Sequence, residues 1–427
     1  MIRLRRALCF SIVLCFLGLS SCAPSTSGPR AAGPVKDTVM ISRPNTNSAE
    51  PGIAASIDGK TFVVWMEYTS GKNGDVCVRS FTAPKQMSDP VRVNPAPGQA
   101  TAWYGDPPTI AAGPGGSVYV GWTSRVEGAK GAANTLYLSV SRDNGMSFEP
   151  PVKVNDDQMP TSHGMHSLAV DKEGRVYFSW LDERYLHNQH IGGKDEGPQV
   201  AAVLYAHHAP TPQTPGAEPN AEVFFAVSND GLSFSPNRRV AADACPCCKT
   251  ATLTAPDGRV YIAFRKVFPP DLRHISITTA PNADGRFTEP VMVSDDQWHL
   301  AACPVSGPSM LLDESSRLNV AWFTQGDAGQ QGVYRSRSID NATTFSTRFL
   351  ISPEATAGTP TLLLGNLIWP TTEGTASADL DLTNLSSKNR PKLPNAKHPV
   401  SAVSGDKLVI AFTKESASSK SVWLLVD

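Results

Sequence analysis

The chain of 427 residues has a formal net charge of −1 and contains 35 prolines and 33 glycines. This near-neutral charge gives no electrostatic basis for binding nucleic acid or an anionic lipid surface, so neither is predicted as a direct partner. Frequent proline and glycine argue against long helices and favour short elements joined by turns.

The first 21 residues are predicted to form an export signal. Basic residues precede the apolar run "ALCFSIVLCFLGL", which is too short for a comfortable membrane span. The run ends in "LSSC", which resembles the lipobox of bacterial lipoproteins. The resemblance implies acylation of Cys22 and an outer-membrane location facing the periplasm or the cell surface. The alternative is an ordinary secretory signal in which Cys22 has no special role.

A Pro/Gly/Ser-rich tether over residues 22–37 leads into a repeat. Each copy has a strand of small residues, a turn and an alternating apolar strand that ends in an aromatic residue, as in "GIAASIDGKTFVVW". Two more strand-like segments follow, so four strands recur at intervals of roughly forty to sixty residues, which is typical of a β-propeller. The aromatic residues that end the second strands are Trp65, Trp122, Trp180, Phe264, Trp322, Trp369 and Phe412.

These repeats predict a single all-β propeller of four-stranded blades over residues 38–427. Seven blades are preferred, and six blades plus an insertion are the alternative, because the copy at about 359–396 is degenerate. The N-terminal segment "TVMISRP" is expected to complete the last blade, which removes an exposed strand edge. A stretch rich in Pro, His and Gly, at about 183–222, is predicted to be a loop inserted over one face.

The segment "SRDNGMSF" resembles the Asp-box, Ser-x-Asp-x-Gly-x-x-aromatic, of sialidase-like propellers with BNR repeats. The segment "SIDNATTF" keeps most of the pattern but has Ala342 in the glycine position, and "VSNDGLSF" has Val227 and Asn229 in the first two positions. The resemblance implies a sialidase-like propeller in which the box aspartate binds local backbone amides and serves the fold. Fold alone does not imply catalysis.

If the protein is an enzyme, the resemblance implies a sialidase-type glycoside hydrolase with an arginine clamp, a Tyr/Glu nucleophile and an acidic Asp. The segment around Arg43 lacks one residue of the family's opening motif, Tyr334 has no glutamate at the family spacing, and no motif supports Asp106 as the acid. The catalytic residues therefore stay unassigned, and binding is favoured over hydrolysis. Arg265 and Arg273 are predicted to contact an anionic ligand or glycan, with ion pairs between blades as the alternative.

Segments that precede the first strand of each blade should surround one end of the central channel. They carry a set of soft ligands that would suit Cu(I) or Zn(II), and copper is the metal predicted for the periplasm. Trp103, Tyr104 and Asp106 are predicted to contact a ligand at the same end, beside His398. The predicted metal ligands are Cys245, Cys247, Cys248, Cys303, His163, Met165, His166 and His299.

The triplet in "DACPCCKT" has two other interpretations. Cysteines of exported proteins usually form disulfides, and Cys303 could pair with one member of the triplet. Cys245 and Cys248 also form a Cys-x-x-Cys pair that could be redox-active. A strand-start histidine such as His163 is more often a packing residue than a ligand, and Cys77 is predicted to be a free thiol in the core.

The sequence thus predicts an exported, lipid-anchored, monomeric propeller that binds a ligand at the channel end. That ligand is a soft metal such as copper in one hypothesis. In the other hypothesis it is a glycan, bound or cleaved by an exo-α-sialidase or another glycan-active propeller. A periplasmic protein is the alternative partner, and membrane contact is expected only through the lipid.

Overall fold

Antiparallel β-strands make up nearly all the regular structure of the protein. A computed structural model describes residues 38–83, 86–128, 133–185, 220–299, 304–380, 387–389 and 392–426. Within these ranges the helical structure is confined to one 3-10 turn, Pro114–Gly116. The same ranges contain no helix with the length and apolar character needed to cross a bilayer. The predicted all-β architecture is confirmed.

Strand pairings group the described strands into five antiparallel sheets, two of which join neighbouring repeats. The strands are described here as seven units, one for each repeat of the sequence, in chain order. Unit 1 contains β2 (Asn47–Ala55), β3 (Thr61–Ser70), β4 (Asn73–Ala83), β5 (Gln86–Met87) and β6 (Val91–Arg92). Unit 2 contains β7 (Ala100–Thr101), β8 (Thr109–Ala112), β9 (Val118–Arg125), β10 (Asn134–Ser141) and β11 (Val152–Lys153). Unit 3 contains β12 (His163–Val170), β13 (Val176–Asp182), β14 (Ala221–Ser228) and β15 (Arg238–Ala244).

The remaining units follow the same pattern. Unit 4 contains β16 (Ala251–Thr254), β17 (Val260–Phe268), β18 (Leu272–Ala280) and β19 (Val291–Met292). Unit 5 contains β20 (Ser309–Leu312), β21 (Leu318–Thr324), β22 (Gly332–Ser338) and β23 (Phe349–Ser352). Unit 6 contains β24 (Thr361–Leu363), β25 (Asn366–Thr371), β26 (Gly374–Leu380), β27 (Ser387–Asn389) and β28 (Leu393–Pro394). Unit 7 contains β29 (Lys397–Ser404), β30 (Lys407–Glu415), β31 (Lys420–Val426) and β1 (Thr38–Met40).

Unit 7 is completed by the N-terminal strand, as predicted. Thr38 of β1 pairs with Leu425 of β31, and Met40 pairs with Trp423. The chain therefore closes on itself through antiparallel pairing, and the outer edge of β31 is covered.

The aromatic residues of the repeat occupy equivalent positions on the second strands, as predicted, but they lie within these strands and not at their ends, since β3 continues to Ser70 and β17 to Phe268. Trp65 lies in β3 and Trp369 in β25, and all seven are at most 1% exposed. Each packs in an apolar cluster, such as the one that joins Trp122 to Phe62 and Val64 of the preceding unit. Burial of one large aromatic layer after another explains why the sequence repeats this position.

The segments that resemble Asp-boxes form turns held by their own side chains. Asp143 Oδ1 accepts hydrogen bonds from the Met146 and Ser147 amides at 3.0 and 2.9 Å. In the segment "VSNDGLSF" the equivalent bonds are made by Ser228 and Asp230. The residues that hold this turn therefore lie one position after Val227 and Asn229, which the sequence pattern aligns with the box. Ala342 takes the glycine conformation of the third turn, with a φ of 67°.

The predicted insertion, at about 183–222, overlaps the start of β14 at its C-terminal end. Ala221 and Glu222 belong to β14 and pair with β15 or β13, so the insertion ends before them. Residues 186–219 lie outside the described part of the chain, as do the predicted signal, the whole tether with Cys22, and Cys303.

Candidate functional site

A cavity of about 320 Å³ lies where the first strands of the units begin. Six units contribute to its wall, and the strand order places these contributions side by side although they are far apart in the sequence. Its lining includes Glu50, Tyr104, Lys249, Val305, Gly358, Thr359 and His398. Pockets of this volume with a few polar groups in an apolar wall are the usual form of small-ligand sites.

Three first strands have a β-bulge at this end. The register shifts between Ala49 and Gly52, between Gly164 and Ser167, and between Lys397 and Val400. Each bulge holds a non-glycine residue in the left-handed region: Glu50 with φ 58°, Met165 with φ 53° and His398 with φ 49°. Such backbone costs about 1–3 kcal/mol per residue and concentrates at functional sites. The bulges redirect side chains at the point where the units converge.

Glu50 is a buried carboxylate in the cavity wall, and sequence reasoning missed it. Glu50 is only 4% exposed, and its Oε2 atom has no hydrogen-bond partner in the described residues. The Tyr68 hydroxyl donates to Oε1 at 3.4 Å. Burial raises the pKa of Glu50 to about 7, while Lys420 and Tyr68 oppose this change. At neutral pH the carboxyl can therefore donate or accept a hydrogen bond from a ligand.

Lys249 is the second polar group that the sequence did not reveal. Its half-buried ammonium lines the same cavity and has no hydrogen bond or salt bridge in the described part of the chain. Burial lowers the pKa of Lys249 to about 8, and the Asp106 carboxylate opposes the change. An amine in this environment is a donor ready for an acceptor group of a ligand.

The predicted aromatic contacts are partly in the cavity. Tyr104 is 52% exposed and stacks on His398, with ring centroids 5.4 Å apart. Trp103 packs edge-on against Tyr104 at 5.1 Å. Tyr104 and His398 thus form an aromatic platform that supports one side of the cavity.

Asp106 and the predicted metal-binding histidines are engaged with each other or with their neighbours. His166 Nδ1 lies 3.1 Å from Asp106 Oδ1, and both residues are buried. His163 Nε2 lies 3.0 Å from Asp157 Oδ1, and its Nδ1 lies 2.7 Å from the Asn134 carbonyl. Met165 packs in the core of unit 3, and its carbonyl accepts a bond from Thr250. These contacts match the packing interpretation of a strand-start histidine.

The cysteine triplet follows β15 and forms a compact group. The three ligand atoms of Cys245, Cys247 and Cys248 all lie within 4.8 Å of one another, which is close enough to hold a metal ion. Cys245 and Cys248 are free thiols, each only 1% exposed, and Cys247 is disulfide-bonded. Cys77 is also free and buried, as predicted. Pairing with Cys303 stays a prediction, because that residue lies outside the described ranges.

The electrostatic environment of the triplet favours a thiolate at Cys248. Burial opposes its ionisation, but the Cys245 thiol, the Arg265 guanidinium and the Ser306 amide together lower the pKa of Cys248 below that of an ordinary cysteine. The interaction with Cys248, together with burial, raises the pKa of Cys245. One of the two sulfurs is therefore ionised more readily than the other.

Arg265 and Arg273 lie outside the cavity wall, beside the triplet. Arg265 is 0% exposed, donates to the Ser306 and Phe323 carbonyls and stacks over Trp298 at 4.7 Å. Arg273 binds Asp271 at 2.6 Å, and His299 bridges to Leu272 by backbone pairing. Arg265 therefore holds unit 4 against unit 5 through hydrogen bonds to carbonyls, and the ion pair that the alternative required is not found among the described residues.

No family model matches the sequence, and no curated protein is similar to it. Solved structures are similar in fold. The BP39L lectin from Burkholderia pseudomallei matches with a TM-score of 0.58 at 10% identity, over 89% of this chain and 96% of the lectin. An ulvan lyase of polysaccharide lyase family PL25 matches with a TM-score of 0.53 at 11% identity, over 89% of this chain and 94% of the lyase. A mutant of NanB sialidase from Streptococcus pneumoniae matches with a TM-score of 0.50 at 11% identity, over 86% of this chain and 83% of the sialidase. The chain therefore has a sialidase-like β-propeller fold.

Proposed function

We propose that the protein is a carbohydrate-binding β-propeller whose ligand occupies the cavity at the start of the first strands. The observation that carries this proposal is the Tyr104–His398 platform beside two polar groups, Glu50 and Lys249, that lack other strong partners. A sugar ring offers an apolar face to an aromatic ring and hydroxyls to a carboxyl and an amine. The lectin, the lyase and the sialidase that share the fold are consistent with such a ligand.

Tyr104→Ala is expected to weaken saccharide binding about tenfold, because the platform loses its exposed ring. The measurement is calorimetric titration of the protein with a panel of neutral and acidic oligosaccharides. Phe349→Ala is the matched control, since Phe349 is an exposed aromatic residue on β23, outside the cavity wall. The proposal fails if no saccharide binds, or if Tyr104→Ala binds as well as the parent.

An exo-α-sialidase or another glycan-active enzyme is the alternative for the same cavity. A protonated Glu50 could serve as an acid in bond cleavage, which is the observation that favours it. Release of the fluorophore from a fluorogenic sialoside, lost in Glu50→Gln, would support hydrolysis. Binding without release would support a lectin-like role.

Lipid anchoring through Cys22 and residence in the cell envelope are part of the same proposal. Cys22→Ala is expected to move the protein from the membrane fraction to the soluble fraction, or to leave an uncleaved precursor, because the acylated thiol is the proposed anchor. Fractionation followed by immunoblotting measures this. Normal processing with unchanged membrane retention would contradict the anchor.

A second proposed function is the binding of a soft metal, copper, at the cysteine triplet. It is favoured by the three sulfur atoms within 4.8 Å of one another. Thiolate sulfur prefers Cu(I) among the metals available to an exported protein. Copper analysis combined with thiol counting on the purified protein tests this function.

A further inference from the structure

We propose that Cys245 and Cys248 bind one monovalent soft cation, Cu(I), through two thiolates, and that Arg265 is its buried counter-charge. The inference rests on the soft-metal function proposed above. It specifies the number of ligands and the charge of the ion. It also assigns a role to Arg265, which does not line the cavity.

The two sulfurs are the thiols that the triplet can offer to a metal. Cys245 and Cys248 are free, whereas Cys247 is disulfide-bonded and cannot act as a thiolate. Their ligand atoms lie within 4.8 Å of each other. With bonds of about 2.3 Å, two sulfurs on opposite sides of one ion would be ~4.6 Å apart, which falls within that limit.

Arg265 carries a positive charge that no carboxylate in the described residues balances. The side chain is 0% exposed, its Nε and Nη2 atoms donate to carbonyls, and Nη1 has no hydrogen-bond partner among the residues that the structure describes. The Cys245 amide donates to the Arg265 carbonyl at 2.8 Å, so Arg265 is adjacent to the thiols. An uncompensated buried charge is costly, and the thiols are the anion source at hand. Arg273 differs, because Asp271 already balances it at 2.6 Å.

The charge balance selects the ion. Cu(I) bound to two thiolates is a copper dithiolate with one negative charge, which neutralises Arg265, and any proton that a thiol still holds passes to solvent on binding. A divalent ion such as Zn(II) with the same two thiolates would be neutral, and the guanidinium would stay unbalanced. Zinc sites also call for four ligands. The geometry therefore favours a monovalent over a divalent ion.

The experiment loads the purified protein, with its disulfide intact, with one equivalent of Cu(I) under anaerobic conditions. One copper per chain is expected to survive desalting, and X-ray absorption is expected to show two sulfur neighbours. Cys245→Ser and Cys248→Ser should each abolish retention. Cys77→Ser is the matched control, since Cys77 is also a free, buried thiol, and it should retain the metal.

The Arg265→Met variant separates the counter-charge from the ligands. It is expected to weaken Cu(I) binding by about 10–100-fold, as is typical when a group supporting a metal ligand is lost, whereas Arg273→Met should change it little. Should a variant fail to fold, X-ray absorption on the unaltered protein still decides the ligand number.

Three outcomes would overturn the inference. Coordination by three sulfurs that appears only after reduction would refute the two-thiolate site and leave the soft-metal function standing. Retention of Zn(II) as tight as that of Cu(I) would refute the charge argument. Absence of any retained copper, before and after reduction, would refute the inference and the soft-metal function together.

Discussion

Replacing Trp322 with alanine is expected to lower the free energy of unfolding by about 3–5 kcal/mol. Trp322 is 0% exposed and stacks on Tyr334, with ring centroids 6.3 Å apart. Its Nε1 donates to Asp296 Oδ2 at 2.8 Å. The substitution removes a large apolar side chain and the donor of a fully buried carboxylate. Urea denaturation, followed by far-UV circular dichroism, measures the loss.

Phenylalanine variants separate the volume lost from the hydrogen bond lost. Trp322→Phe should cost about 1–3 kcal/mol more than Trp65→Phe, because it leaves Asp296 without the indole donor. Trp65 is equally buried, but its Nε1 has no partner in the described residues. Equal losses in the two variants would show that the Asp296 bond contributes nothing to stability.

Glu50→Gln is expected to be more stable than the parent by ~3 kcal/mol at pH 8 and nearly equal to it below pH 4.5. Burial, opposed by Lys420 and Tyr68, raises the pKa of Glu50 from 4.5 to about 7 in the folded protein. The folded protein therefore holds a proton that the unfolded chain has released between these two pH values. Stability of the parent is lost as the pH rises through this window, and glutamine has no proton to lose.

The measurement is urea denaturation of both proteins at several pH values between 4 and 9. Glu222, whose pKa is also raised to about 7 by burial, changes the parent and the variant equally and cancels in the comparison. The exposed Glu127 provides the control: Glu127→Gln should follow the parent at every pH. A constant difference between Glu50→Gln and the parent across the range would contradict the assignment.

The repeat positions could be predicted from sequence because each is fixed by a local pattern. Trp65, Trp180 and Trp322 end apolar alternations, and turns such as Asp58-Gly59 place a glycine with a φ of 80° between two strands. Such a pattern can be recognised within one repeat, without information about contacts between repeats. The pairing of β1 with β31 was also predictable, because the C-terminal part of the sequence supplies only three strands of the last four-stranded blade.

The site residues were harder to predict because their roles depend on contacts between units. Glu50 and Lys249 both stand at the starts of first strands, where ligand residues were sought, yet neither belongs to a soft-ligand set. Residue type alone therefore did not mark Glu50 and Lys249 as site residues. A count of every charged residue in those segments would have found both. Burial, which gives Glu50 and Arg265 their chemistry, could not be read from either segment alone.

The pairing of β1 with β31 sets a condition on biogenesis. Thr38 pairs with Leu425, so the strand that is synthesised first waits for the strand that is synthesised last. At about 5–20 residues per second this wait lasts on the order of tens of seconds. During that time β1 has its hydrogen-bonding groups free, and an unpaired strand is a template for pairing with other chains. A nascent copy therefore keeps this edge open until its C-terminus emerges, and deletion of β31 is expected to leave β1 without a partner.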